Sequence, residues 1–155
     1  MNRITDAMIP YLTASGIEYS RNTPDTSVGT SIRDSNSGYY GLHLALHSNA
    51  APPELEGKIK GPDVYYYQYS EKGKRAAGII ADNLKKIYPE PGLVDTVPNT
   101  TLAELTKTNA PAVLVELAYH DNPQDEVWIT NNIEGIARNL AQSVCEYFGV
   151  PFRDA

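Results

Sequence analysis

"PAVLVELAY", Pro111 to Tyr119, is the stretch whose reading decides the fold. Its apolar positions run on without alternation, and turn-forming residues bound it on both sides. A continuous apolar run of this length reads as a strand buried on both faces, as in a parallel sheet. One residue breaks it. Glu116 stands between Val115 and Leu117, where an ionised carboxylate costs several kcal/mol unless it is paired, hydrogen-bonded or bound to a metal. A strand-end glutamate that simply reaches solvent is the plain alternative, and the apolar residues on both sides favour a chemical role over it.

Upstream, "GLHLALHSNAAPPE", Gly41 to Glu54, repeats the pattern. Leu42 to His47 reads as a second strand, apolar at nearly every position as a central parallel strand is, and it breaks at His47-Ser48-Asn49. Alone, His47 is better read as a core histidine. With Glu116 closing another parallel strand, both polar ends fall on one edge of the sheet, where ligands of α/β folds collect. An imidazole and a carboxylate brought together there are the components of a zinc-water hydrolase. His43 shares the face of His47 but lies about 13 Å along the strand, too far to share a metal easily, so a core histidine is the stronger reading. His120 follows Glu116 by four residues, where the chain turns. A ligand, a substrate contact and a loop histidine are equal readings of it.

Around these strands the periodicity is helical. Ile4, Ala7, Met8, Tyr11 and Leu12 mark a first helix closed by Gly16, with Pro10 arguing against a straight one. Ile17 to Arg21 alternates like a strand, and Ser31 to Ser37 holds a short helix within a Thr/Ser/Asp-rich segment. Val64 to Ser70 is a third strand, with Tyr65, Tyr67 and Tyr69 on one face, a pattern that suits a half-buried pleat better than a sugar-stacking site. Ala76 to Ile87 forms a long amphipathic helix, Tyr88 to Pro98 a Pro-rich turn, and Leu102 to Thr106 a short helix. Asn122-Pro123 opens the next helix, with Asp121 and Asn122 as capping residues, and Ile133 to Phe148 is the last, ended by Gly149. Strands alternating with helices predict one α/β domain over residues 1–155 with a mostly parallel, twisted sheet flanked by helices.

The composition narrows the function. A net charge of −6 with no Lys/Arg cluster argues against a nucleic-acid partner. No apolar run reaches membrane-spanning length. The single cysteine, Cys145, falls on an amphipathic helix and reads as a buried thiol. No G-x-S-x-G, phosphate-binding loop or Cys–His pairing supports a serine hydrolase or a nucleotide enzyme.

At "LALHSNAA" and "APAVLVELAYHDNPQDE" the sequence resembles the zinc-dependent N-acetylmuramoyl-L-alanine amidases of bacterial cell-wall turnover. There, a strand ending in a Ser-Ile-His-Ala-Asn-like motif supplies a zinc histidine, matched by His47. A later strand ends in a Val-Glu-x-Gly-Phe-x-Ser-Asn-like motif whose glutamate is catalytic, matched by Glu116. Asn122-Pro123, Arg21, Asp25, Ser35-Asn36 and Tyr65 are further matches, and the similarity runs from the first helix to Phe148. The resemblance implies hydrolysis of the amide between N-acetylmuramic acid and L-alanine in peptidoglycan by a zinc-activated water, with Glu116 as general base and proton donor. It implies Zn2+ as cofactor, muramyl peptide as substrate, and an extracellular or cell-wall location.

The departures are specific. The family's first zinc histidine and its zinc glutamate have no match, which leaves His47 as one of three expected ligands and His120 as the spare imidazole. Ala118-Tyr119 stands where Gly-Phe is usual. Three readings compete: a chain lacking its N-terminal strand, a rebuilt site using His120, and a relative that binds peptidoglycan without cleaving it. The first is preferred, because the chain opens as though inside a helix.

Overall fold

The computed structural model describes residues 1–155. Six α-helices and four strands follow one another along the chain: α1 Asn2–Ala14, α2 Val28–Asn36, β1 His43–Asn49, β2 Asp63–Tyr67, α3 Glu71–Leu84, β3 Asp95–Asn99, α4 Ala103–Thr106, β4 Ala112–Tyr119, α5 Pro123–Asn131 and α6 Ile133–Phe148. The sheet order is β1-β4-β2-β3. β1 pairs parallel with β4 and β2 parallel with β3, while β2 runs antiparallel to β4.

Alternation along the strands sends their side chains to two unequal faces. Leu44 and Leu46 of β1, Val113, Val115 and Leu117 of β4, and Val64 and Tyr66 of β2 join the main core under α1, α3 and α6. The opposite face carries a small cluster, Ala45, Ala112 and Leu114, covered by Leu105 of the one-turn helix α4. That thin cover is what leaves room for polar groups. His43, His47, Glu116, Asp63 and Tyr65 occupy the same side by the period of two.

Several expectations meet a different structure. Ile17 to Arg21 forms no strand. Its side chains are used separately instead: Ile17 packs on the main core, Ser20 accepts from the Tyr40 hydroxyl, and Arg21 pairs with Asp6. The supposed turn Tyr88 to Pro98 contains most of β3, whose Pro98 is tolerated because β3 is a sheet edge with no ladder on its outer side. β1, read as central, is the other edge. Its apolar side chains are covered by helices rather than by a further strand, with a groove of about 400 Å³ between β1, α1 and α2. The tyrosine strand stops at Tyr67, because Ser70 accepts from the Gly73 N–H and caps α3, leaving Tyr69 exposed. Helix α1 runs through Pro10, which lies on the solvent side, where water can satisfy the carbonyl left without a donor.

At the other helix ends the local signals hold. Asn122 Oδ1 accepts from the N–H groups of Gln124 and Asp125, with Pro123 at the first helical position. Gly149 closes α6 in the left-handed region at φ +70°. Asp121 caps no helix. Its carboxylate instead accepts from Ala51 and Gly57 N–H, tying down the loop after β1. Cys145 is buried.

Candidate active site

His47 and Glu116 are register partners across β1 and β4, and Glu116 is at the same time the register partner of Asp63 across β4 and β2. Asp63 in turn pairs with Asp95 of β3. One row of ionisable residues therefore crosses the whole sheet. Just beyond His47 the β1–β4 register shifts by one residue, so that Asn49 faces Tyr119. Such an irregularity re-aims the side chains next to it.

Glu116 alone in the row has a buried polar atom left unpaired. Its Oε2 is buried without a hydrogen-bond partner. Burial pushes its carboxyl above the usual range; the neighbouring His47 and His120 pull it back, and Asp63 adds to the rise. A carboxylate moved in this direction comes closer to the working pH of a general base. Burial and then Asp95 push Asp63 up as well.

His47 is held from behind. Its Nε2 lies 2.9 Å from Oε2 of Glu104, while Oε1 of the same carboxylate lies 3.0 Å from His43 Nε2. His43 Nδ1 reaches Ser35 Oγ at 3.0 Å. His43 and His47, too far apart along β1 to share a metal ion easily, are instead linked through the two oxygens of one carboxylate, a connection that their spacing in sequence did not reveal. The hydrogen bond that His47 donates to Glu104 raises the His47 pKa; burial opposes it, and the charges of Glu104 and Glu116 assist. Burial would raise Glu104, but the hydrogen bonds and charges of the two histidines outweigh it and hold the carboxyl at about 2.

His120 is exposed, its Nδ1 3.0 Å from Ser48 Oγ and its N–H bonded to the Asn49 carbonyl. It is close enough to lower Glu116. The structure thus gathers His47, Glu116 and His120 at one end of the β1–β4 pair. Sequence reading missed Glu104 and Asp63. Each carried a faint signal: Glu104 is the acidic residue inside an apolar one-turn helix, "TLAEL", and Asp63 opens an otherwise apolar strand.

A catalytic zinc ordinarily takes three protein ligands and an open position. No three His, Cys, Asp or Glu side chains converge as an ion would require. His47 has Nε2 committed to Glu104 and His120 has Nδ1 committed to Ser48. The side chains present do not complete a three-ligand zinc site.

Residues 3–146 match the family described as N-acetylmuramoyl-L-alanine amidase. Among relatives, the "probable cell wall amidase LytH" of Staphylococcus aureus is 29% identical over 113 residues, 72% of this chain and 35% of that protein. The catalytic domain of the CD27L endolysin targeting Clostridia difficile superposes with a TM-score of 0.76 at 25% identity, covering 94% of this chain and 81% of that one. The amidase AmiC2 of Nostoc punctiforme shares the fold with a TM-score of 0.82 at 16% identity, over 95% of this chain and 81% of that one. The chain spans less than half the length of the curated relatives it matches, 44% of one and 35% of another. With the fold and nearly the whole sequence matched, the chain belongs to the N-acetylmuramoyl-L-alanine amidase family.

Proposed function

We propose that this chain hydrolyses the amide joining the lactyl group of N-acetylmuramic acid to the L-alanine of the stem peptide, with Glu116 as general base and then proton donor. The observation that carries the reading is the position of Glu116: directly across from His47, with one buried oxygen free of any partner. The carboxylate takes a proton from the attacking water as its oxygen bonds to the carbonyl carbon. It returns that proton to the alanine nitrogen as the C–N bond breaks, leaving a lactyl carboxylate and a free amine. His47, polarised by Glu104, presents a donor or lone pair beside that centre, and Tyr65, on the same face, lines it from β2.

Zinc is the cofactor the family resemblance implies, with His47 and His120 as the imidazoles this chain could offer. Because the side chains present do not close such a site, the proton transfers above rest on Glu116 alone. The substrate class places the reaction in the cell wall, on the outside of the cell. No helix is long and apolar enough to cross a membrane.

Purified peptidoglycan incubated with the protein tests the reading. Release of peptides beginning with a free L-alanine amine, identified by mass spectrometry, is the expected result. Sedimentation with the wall without any release would favour a second reading, a domain that binds peptidoglycan without cutting it. The incomplete ligand set is the observation behind that alternative. Products cut at a sugar linkage would overturn both.

A further inference from the structure

Glu104 has no proton to move in the reaction just described, yet the fold buries it to 8% exposure. A carboxylate so placed is costly unless every oxygen is hydrogen-bonded. Both are, and to imidazoles: Oε1 to His43 Nε2 at 3.0 Å and Oε2 to His47 Nε2 at 2.9 Å. An ionised carboxylate only accepts, so each ring must turn an Nε2–H toward it. His43 then carries its lone pair on Nδ1 and accepts the hydroxyl proton of Ser35, 3.0 Å away. His47 likewise carries its lone pair on Nδ1.

The helix that bears Glu104 is itself fixed. Thr108 Oγ1 donates to the Glu104 carbonyl at 2.7 Å. Asn36, at the end of α2, donates to the Lys107 carbonyl and accepts from Asn109 N–H, both at 2.8 Å. Leu105 anchors α4 in the small core on the same face of the sheet. Three elements, α2, α4 and β1, are thereby tied through one carboxylate, and its far arm ends on His47.

We infer that Glu104 is a positioning residue, which fixes the tautomer and ring plane of His47 so that Nδ1 is the nitrogen offered to the reacting centre beside Glu116. His43 and Ser35 serve it by orienting the carboxylate: with Oε1 held, Oε2 cannot rotate away from His47. Carboxylates that orient a metal-ligating histidine through such a hydrogen bond are worth about 10- to 100-fold in affinity or activity, and the same hold on a histidine beside a reacting centre sets the scale expected here. The role at the reacting centre rests on the proposed function. The hold on His47 does not.

The test uses the full chain with 15N-labelled histidine, observed above the pH at which the imidazoles titrate, in wild type, Glu104→Leu and Glu104→Gln. In wild type, both His43 and His47 are expected as Nε2–H tautomers with slowly exchanging ring protons. Glu104→Leu removes both protected signals. Glu104→Gln, which keeps the volume and a polar head and so guards against loss of the fold, leaves at most one, because an amide offers a single oxygen. Release of stem peptide should fall about 10- to 100-fold in kcat with KM unchanged. Two protected Nε2–H signals in the folded Gln variant, or an Nδ1–H tautomer at His47 in wild type, would overturn the inference. If wild type releases no peptide, the proposed function fails, and the ring spectra still decide whether Glu104 holds His47.

Discussion

Asp63 and Glu116 stand opposite one another across the only antiparallel pair of the sheet, two carboxylates side by side on its thinly covered face. Each is pushed above its ordinary range, first by burial. His47 flanks Glu116 on one side and Asp95 flanks Asp63 on the other, so charge is opposed at one end of the row and reinforced at the other.

Replacing Asp63 by Asn removes a like charge from beside the proposed base. Glu116 must be ionised to accept a proton, so activity climbs as pH rises through its pKa. Asp63→Asn lowers that pKa and moves the acid limb of the rate profile to lower pH. A limb that stays in place would show that the two carboxylates do not interact.

The same substitution has a signed effect on stability. An aspartate whose pKa is higher folded than unfolded destabilises the fold when ionised and ceases to do so as pH falls through the folded value. Asp63→Asn is therefore more stable than wild type at neutral pH, and the difference fades in acid. Denaturant titrations across that range check it. A destabilised variant at neutral pH would contradict the assignment.

Asp125 supports the site from underneath. It is buried at 1% exposure and accepts from Gly61 N–H, Tyr119 N–H and the Tyr88 hydroxyl. Asp125→Ala strands three donors and should cost about 3 kcal/mol or more. Gly61 sits at φ +107°, and a Cβ there would lie 2.7 Å from the Leu93 carbonyl oxygen. Gly61→Ala should cost about 2 kcal/mol, measured by chemical denaturation. Wild-type stability in either variant would refute this account of the β4–α5 corner.

Much of this architecture was legible in the sequence because its signals are local. The apolar run before Glu116, the Asn122-Pro123 helix start and the left-handed Gly149 each announce themselves within a few residues. β3 was hidden because Asp95 to Asn99 has neither a long apolar run nor a clean alternation, and it is specified by pairing with β2. Glu104 was hidden for a related reason. Its role depends on two histidines 57 and 61 residues away in sequence, which only the packing of α4 over β1 reveals. His47 and Glu116 could be proposed together because both end apolar strands, whereas Asp63 begins one.

Zinc titration follows from the incomplete donor set. By calorimetry, zinc should bind far more weakly than the ~10–16 kcal/mol of a structural site. His47→Ala and His120→Ala should each weaken it further. Tight binding that survives both substitutions would place the metal elsewhere in the molecule.

The most direct measurement is peptide release from purified peptidoglycan by wild type and Glu116→Gln. Glutamine keeps the volume and removes both the charge and the base. Since burial raises the Glu116 pKa, a neutral amide should leave melting unchanged or slightly improved. The account predicts release by wild type and a loss of roughly 100-fold or more in the variant. Release by Glu116→Gln at the wild-type rate would contradict it.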